Sequence, residues 1–90
     1  KVIIFDYQII FLIAHLAPVM EKAKFQKNLG KHLATLRREK GLSQIEFGYL
    51  IEIEKQNINR IENGRTNPTA FTLNKIAEAL QIPRSKVFDF

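Results

Sequence analysis

A glycine and a serine two residues apart constrain this chain more than anything else in it. In Lys40-Gly41-Leu42-Ser43-Gln44-Ile45-Glu46, Gly41 supplies the left-handed residue that ends a helix. Ser43, with Glu46 three residues later, forms a capping box that starts the next one. One helix therefore stops and another begins within a few residues, which forces a sharp corner between two packed helices.

The flanking segments extend that pattern. Phe25, Leu29, Leu33 and Leu36 share one face, so the spacing predicts a first helix from about Glu21 to Lys40. Downstream, Ile58 and Ile61 lie on one side of a short segment that Gly64 closes, with amides and an arginine on the other side. Asn67-Pro68 is a turn feeding an N-cap at Thr69, and Leu73, Ile76, Ala77 and Leu80 line a fourth helix. Pro83 opens a short fifth helix carrying Val87 and Phe88. No alternating strand pattern appears after residue 20. The expected fold class is all-α, a compact five-helix domain, with Phe25, Leu29, Leu33, Leu36, Phe47, Ile51 and Ile53 in its core.

Composition narrows the function. Ninety residues make one modest core. The absence of cysteine excludes disulfides and thiolate metal sites. His15 and His32 have no partner at metal-ligand spacing, and neither Ser43 nor Ser85 lies in a nucleophile motif or phosphate loop. No cofactor, no metal and no enzymatic activity are expected. A net charge of +5 and a pI near 9.8 favour an anionic partner.

The chain resembles the lambda repressor/Cro-like (Xre-type) helix-turn-helix family from about Leu29 to Phe88. The resemblance rests on Leu36-Arg37, Lys40-Gly41-Leu42-Ser43-Gln44, Glu46-Phe47, Ile53, Ile58, Arg60-Ile61-Glu62-Asn63-Gly64, Asn67-Pro68, Leu73, Lys75-Ile76-Ala77, Ala79-Leu80 and Phe88, in order and at the family's spacing. It implies a lambda-repressor-like domain acting as a small transcriptional regulator: repressor, controller or antitoxin. Such a protein is a cytoplasmic homodimer that binds a pseudo-palindromic double-stranded DNA operator, with a recognition helix, here about 54–63, in the major groove. The implied base readers are Lys55, Gln56, Asn59 and Arg60. Asn and Gln can bond adenine bidentately, and Arg or Lys can bond guanine. The implied phosphate contacts are Gln44, Asn63, Arg65, Thr66 and Arg37. The family also pairs the residues at 37 and 62, so Arg37 is read first as an internal ion-pair partner of Glu62.

Three residues depart from the family pattern. Glu52 stands where the turn usually has a glycine with positive φ, Gly48 replaces a small alanine, and Glu54 replaces a Ser or Thr cap. Between Gln44 and Gly64 there are two basic residues, Lys55 and Arg60, against four acidic ones, Glu46, Glu52, Glu54 and Glu62. That deficit keeps a protein-interaction or adaptor module on the same fold as the alternative reading.

Residues 1–19 lie outside the resemblance and are treated as an apolar N-terminal extension to a domain over 20–90, although Met20 could be the native start. Val2 to Phe5 favours a strand, and Ile9 to Leu16 could be helical. Asp6 and Gln8 leave an uninterrupted apolar run of six residues, Ile9 to Ala14, too short for a membrane span. Ile45, Tyr49, Leu50 and Phe71 are apolar where the family is usually polar. The extension is therefore expected to pack on its own domain or on a partner subunit.

Overall fold

The structure is a computed structural model that describes residues 6–90, with the backbone alone for 16–20. The strand expected over Val2 to Phe5 lies outside the described residues. Four α-helices follow one another, α1 (Tyr7–Glu39), α2 (Gln44–Ile51), α3 (Lys55–Glu62) and α4 (Ala70–Leu80), and a 3-10 helix (Arg84–Phe88) closes the chain. No strand occurs among the described residues.

The local signals fix the middle of the chain as expected. Leu42 N–H donates to the Arg37 carbonyl at 3.2 Å and Gly41 N–H to that of Arg38 at 2.9 Å, with Gly41 at φ +71°. This Schellman arrangement satisfies the last carbonyls of α1. Gly64 repeats it after α3. At the start of α2, the Ser43 hydroxyl accepts from Glu46 N–H at 3.0 Å, and the Glu46 carboxylate accepts from Ser43 N–H at 2.9 Å. Thr69 caps α4 by accepting from Thr72 N–H at 3.1 Å.

The first helix departs from expectation. It begins at Tyr7, not near Glu21, because Asp6 caps it: its carboxylate accepts from Gln8 N–H at 2.8 Å. Pro18 falls inside the helix and does not end it. A proline nitrogen carries no hydrogen, so the Ala14 carbonyl goes without its helical donor, but proline's fixed φ is compatible with a helix.

Leu29, Leu33 and Leu36 of α1 meet Phe47 and Ile51 of α2, Ile58 and Ile61 of α3, Ile76, Ala77 and Leu80 of α4, and Val87. Two residues expected in the core are not there. Phe25 is exposed and rests against the Phe90 ring at 5.8 Å between centroids, and Ile53 is half-buried at the core's edge. Phe25 lies one turn before Leu29, at the edge of the body, where Phe90 covers it only in part. Of the closing helix only Val87 is buried, while Phe88 is exposed. His32 Nε2, 2.7 Å from the Lys86 carbonyl oxygen, ties that helix to α1.

Before Gln26, every described side chain of α1 is exposed. The first turns therefore project as an arm, and the molecule measures 58 × 25 × 20 Å. Its radius of gyration is 17.3 Å, against about 12 Å for a globule of this length.

Candidate nucleic-acid interface

The sharp corner between α2 and α3 turns on Glu52, which adopts φ 55°, ψ 45°. This is the left-handed conformation that favours glycine, and here a glutamate occupies it. The glycine is instead at position 48. Ile53 N–H donates to the Gly48 carbonyl at 3.0 Å, and the Ile53 carbonyl oxygen sits where a Cβ on residue 48 would be. The corner thus exchanges a relaxed turn residue for a close approach of two backbones.

Beyond the corner, α3 sets Ile58 and Ile61 into the core and turns Lys55, Gln56, Asn59 and Arg60 outward. Gln44, Lys55, Gln56, Asn59, Arg60 and Arg65 line one shallow depression. The side chains of Lys55, Gln56, Arg60 and Arg65 make no hydrogen bond or ion pair among the described residues. Their donors point outward without having to break an internal contact first. Asn63 Nδ2 donates to Asn59 Oδ1 at 3.1 Å and to the Asn59 carbonyl at 2.9 Å. That leaves Asn59 one acceptor lone pair and both amide hydrogens, as bidentate contact with adenine requires. Thr66, named from the sequence as a phosphate contact, is half-buried and does not line this depression.

Arg37 leaves the set of phosphate candidates. It is 6% exposed, and its guanidinium is committed internally. Nε donates to Glu62 Oε2 at 2.6 Å, one terminal nitrogen to Glu62 Oε1 at 2.9 Å, and the other to the Leu42 carbonyl at 2.7 Å. Gln44 joins the same group, its Nε2 donating to Glu62 Oε1 at 3.0 Å. One amide hydrogen of Gln44 stays free, so this side chain spans the buried pair and the outer surface.

The acidic excess read from the sequence is smaller in space. Glu62 is neutralised by Arg37. Glu46 is spent as a cap, its carboxyl held below the usual carboxylate range by the Ser43 backbone N–H and then by the Ser43 hydroxyl. Positive charge also arrives from a helix that a linear reading does not place here. Lys31 and Arg38 of α1 line a second depression together with Gln44, Asn59 and Asn63. Gly30 allows this approach: a Cβ there would lie 2.7 Å from the Glu62 carbonyl oxygen. The sequence shows a basic side of α1, since Lys24, Lys27, Lys31 and Arg38 recur at helical spacing away from its leucines, but not where that side lies against α3. At the N-terminus of α3, Glu54 makes no side-chain cap, so the first N–H groups of α3 lack that partner.

A helix-turn-helix family model, HTH_3, matches residues 33–87, which contain the corner, the outward face of α3 and the closing helix. The chain belongs to the helix-turn-helix family. This helix-turn-helix protein is 42% identical over 57 residues to y4dJ of Sinorhizobium fredii, an uncharacterized HTH-type transcriptional regulator, covering 63% of this chain and 74% of that one. It is 38% identical over 60 residues to the control protein C.MunI of a Mycoplasma species, covering 66% and 81%. Its fold is similar to the restriction-modification controller protein C.AhdI of Aeromonas hydrophila, with a TM-score of 0.71 at 29% identity over 73% of this chain and 96% of that one. The helix-turn-helix protein is a DNA-binding transcriptional regulator.

Proposed function

We propose that the protein reads a pseudo-palindromic double-stranded operator as a cytoplasmic homodimer, with α3 in the major groove. Lys55, Gln56, Asn59 and Arg60 meet base edges, while Gln44, Asn63, Arg65 and Thr66 bind phosphates around them. The observation that carries this reading is the convergence of Gln44, Lys55, Gln56, Asn59, Arg60 and Arg65 on one open surface. Lys31 and Arg38 extend the phosphate contacts along α1. Among regulator types, the controller of a restriction-modification system has the support of C.AhdI, named as one, and of C.MunI, named as a control protein.

One observation favours a protein partner as a second reading. Ile45 and Tyr49 stay exposed beside Glu52 and Glu54, around a largely apolar depression at the corner, and the N-terminal arm does not cover them.

Fluorescence anisotropy titration against DNA selected from a random pool, at two salt concentrations, tests the reading. The affinity for the selected site should exceed that for a scrambled duplex and fall with salt. Lys55→Ala or Arg60→Ala should relax the preference at one base position, by about 1–3 kcal/mol of discrimination. Absence of any preferred sequence at either salt, with the protein folded, would reject operator reading in favour of the protein partner.

A further inference from the structure

We propose that Lys24 and Lys27 bind phosphates of the DNA flanking the operator half-site, so that α1 tracks the duplex beyond the bases met by α3. The inference rests on the operator reading above and extends it to residues that precede the matched segment 33–87. Lys24, Lys27, Lys31 and Arg38 fall within about 60° of one another around α1. The acidic residues of this stretch, Glu21 and Glu39, lie about 60° or more further round the helix. All four cations are exposed, and none makes an ion pair among the described residues. One end of the row already borders the proposed reading surface, because Lys31 and Arg38 share a depression with Gln44, Asn59 and Asn63.

The other end of the row is held in place by the end of α3. A Cβ on Gly64 would lie 2.7 Å from the Cα of Lys27, so the two backbones touch there. Beside this contact, Gln26 Nε2 donates to the Gly64 carbonyl at 3.4 Å. Lys27 is thereby fixed next to the turn that leads into Arg65, which lines the depression on α3. Lys24 follows about one turn further out on the same side. The helical rise puts it about 10 Å beyond Lys31, the length of roughly three base pairs. A row of exposed cations with no acid in it, continuous with a face proposed to bind DNA, suits a strand of phosphates. Phosphate contacts position a protein without reading sequence. The added affinity should therefore depend on duplex length and not on flank sequence.

The test compares the full chain on two duplexes: the selected site without flanks, and the same site with about six scrambled base pairs added at each end. The flanks should tighten binding about tenfold at low salt, whatever their sequence. Lys24→Gln/Lys27→Gln should abolish that gain and lower the salt slope on the long duplex by about 2 per protomer. Binding to the short duplex and the preferred sequence should stay unchanged. Lys22→Gln/Lys86→Gln, which removes the same charge from outside the row, should keep the gain. Because the chain has no cysteine, an iron chelate can be attached to a Lys24→Cys variant. Its cleavage should fall in the flank, about three base pairs outside that from Lys31→Cys. No gain from the flanks, a gain that survives Lys24→Gln/Lys27→Gln, an equal loss in the control variant, or cleavage inside the half-site would each overturn the proposal. Each of those results would leave the operator reading intact. A wild type with no preferred sequence would remove both.

Discussion

Arg37 illustrates how much one side chain can determine. It joins α1 to α3 through Glu62, accepts no role on the surface, and holds the α1–α2 turn through the Leu42 carbonyl. Because both partners are about 7% exposed, removing one leaves the other charged and buried. Arg37→Ala should therefore cost about 3–5 kcal/mol in urea denaturation. Lysine should rescue only part of that, since an ammonium cannot make the two-pronged contact. Glu46 supports a pH prediction. Its folded pKa lies below the ordinary 4.5, so its contribution is complete above that value and disappears as pH falls through the lower folded pKa. Glu46→Gln should flatten the acid side of the stability–pH curve below about pH 5, followed by thermal melts from neutral pH downward.

The corner between α2 and α3 shows the same trade between residue types. Glu52→Gly should relax the left-handed turn and gain about 1 kcal/mol, read as a higher urea midpoint. Gly48→Ala should do the reverse and cost about 1–3 kcal/mol, because the obstacle is the Ile53 backbone carbonyl, which cannot move aside. These boundaries were legible in the sequence because each rests on a local signal: Gly41, the Ser43–Glu46 box, Gly64 and Thr69. The outward set on α3 was legible too, once Ile58 and Ile61 fixed the inward face. The start of α1 was not. The apolar stretch over 1–19 suggested a boundary, and the structure runs the helix through it from the Asp6 cap. Arg37 could be paired with Glu62 from the sequence. The tie of Gln44 to the same carboxylate, and the arrival of Lys31 and Arg38 beside Asn59, depend on how α1 crosses α3, which no spacing within one helix reveals.

Taken together, the charges and the long first helix give the protein two separate faces. Basic residues of α1 border the surface proposed to read DNA, so they should add affinity without adding sequence preference. Replacing Lys31 and Arg38 together with glutamine should lower the slope of log K against log salt by about 2, with the preferred sequence unchanged in a repeat selection. The continuity of α1 adds a mechanical consequence. Its body end is fastened to α3 by Arg37 and Glu62, and its first residue, Tyr7, lies about 28 Å along the helix from Gln26. A tilt of about 10° at the fastening would sweep that tip by about 5 Å, on a shaft of this length. By lever geometry alone, a small change in how α3 sits against α1 is magnified at the far end of the helix.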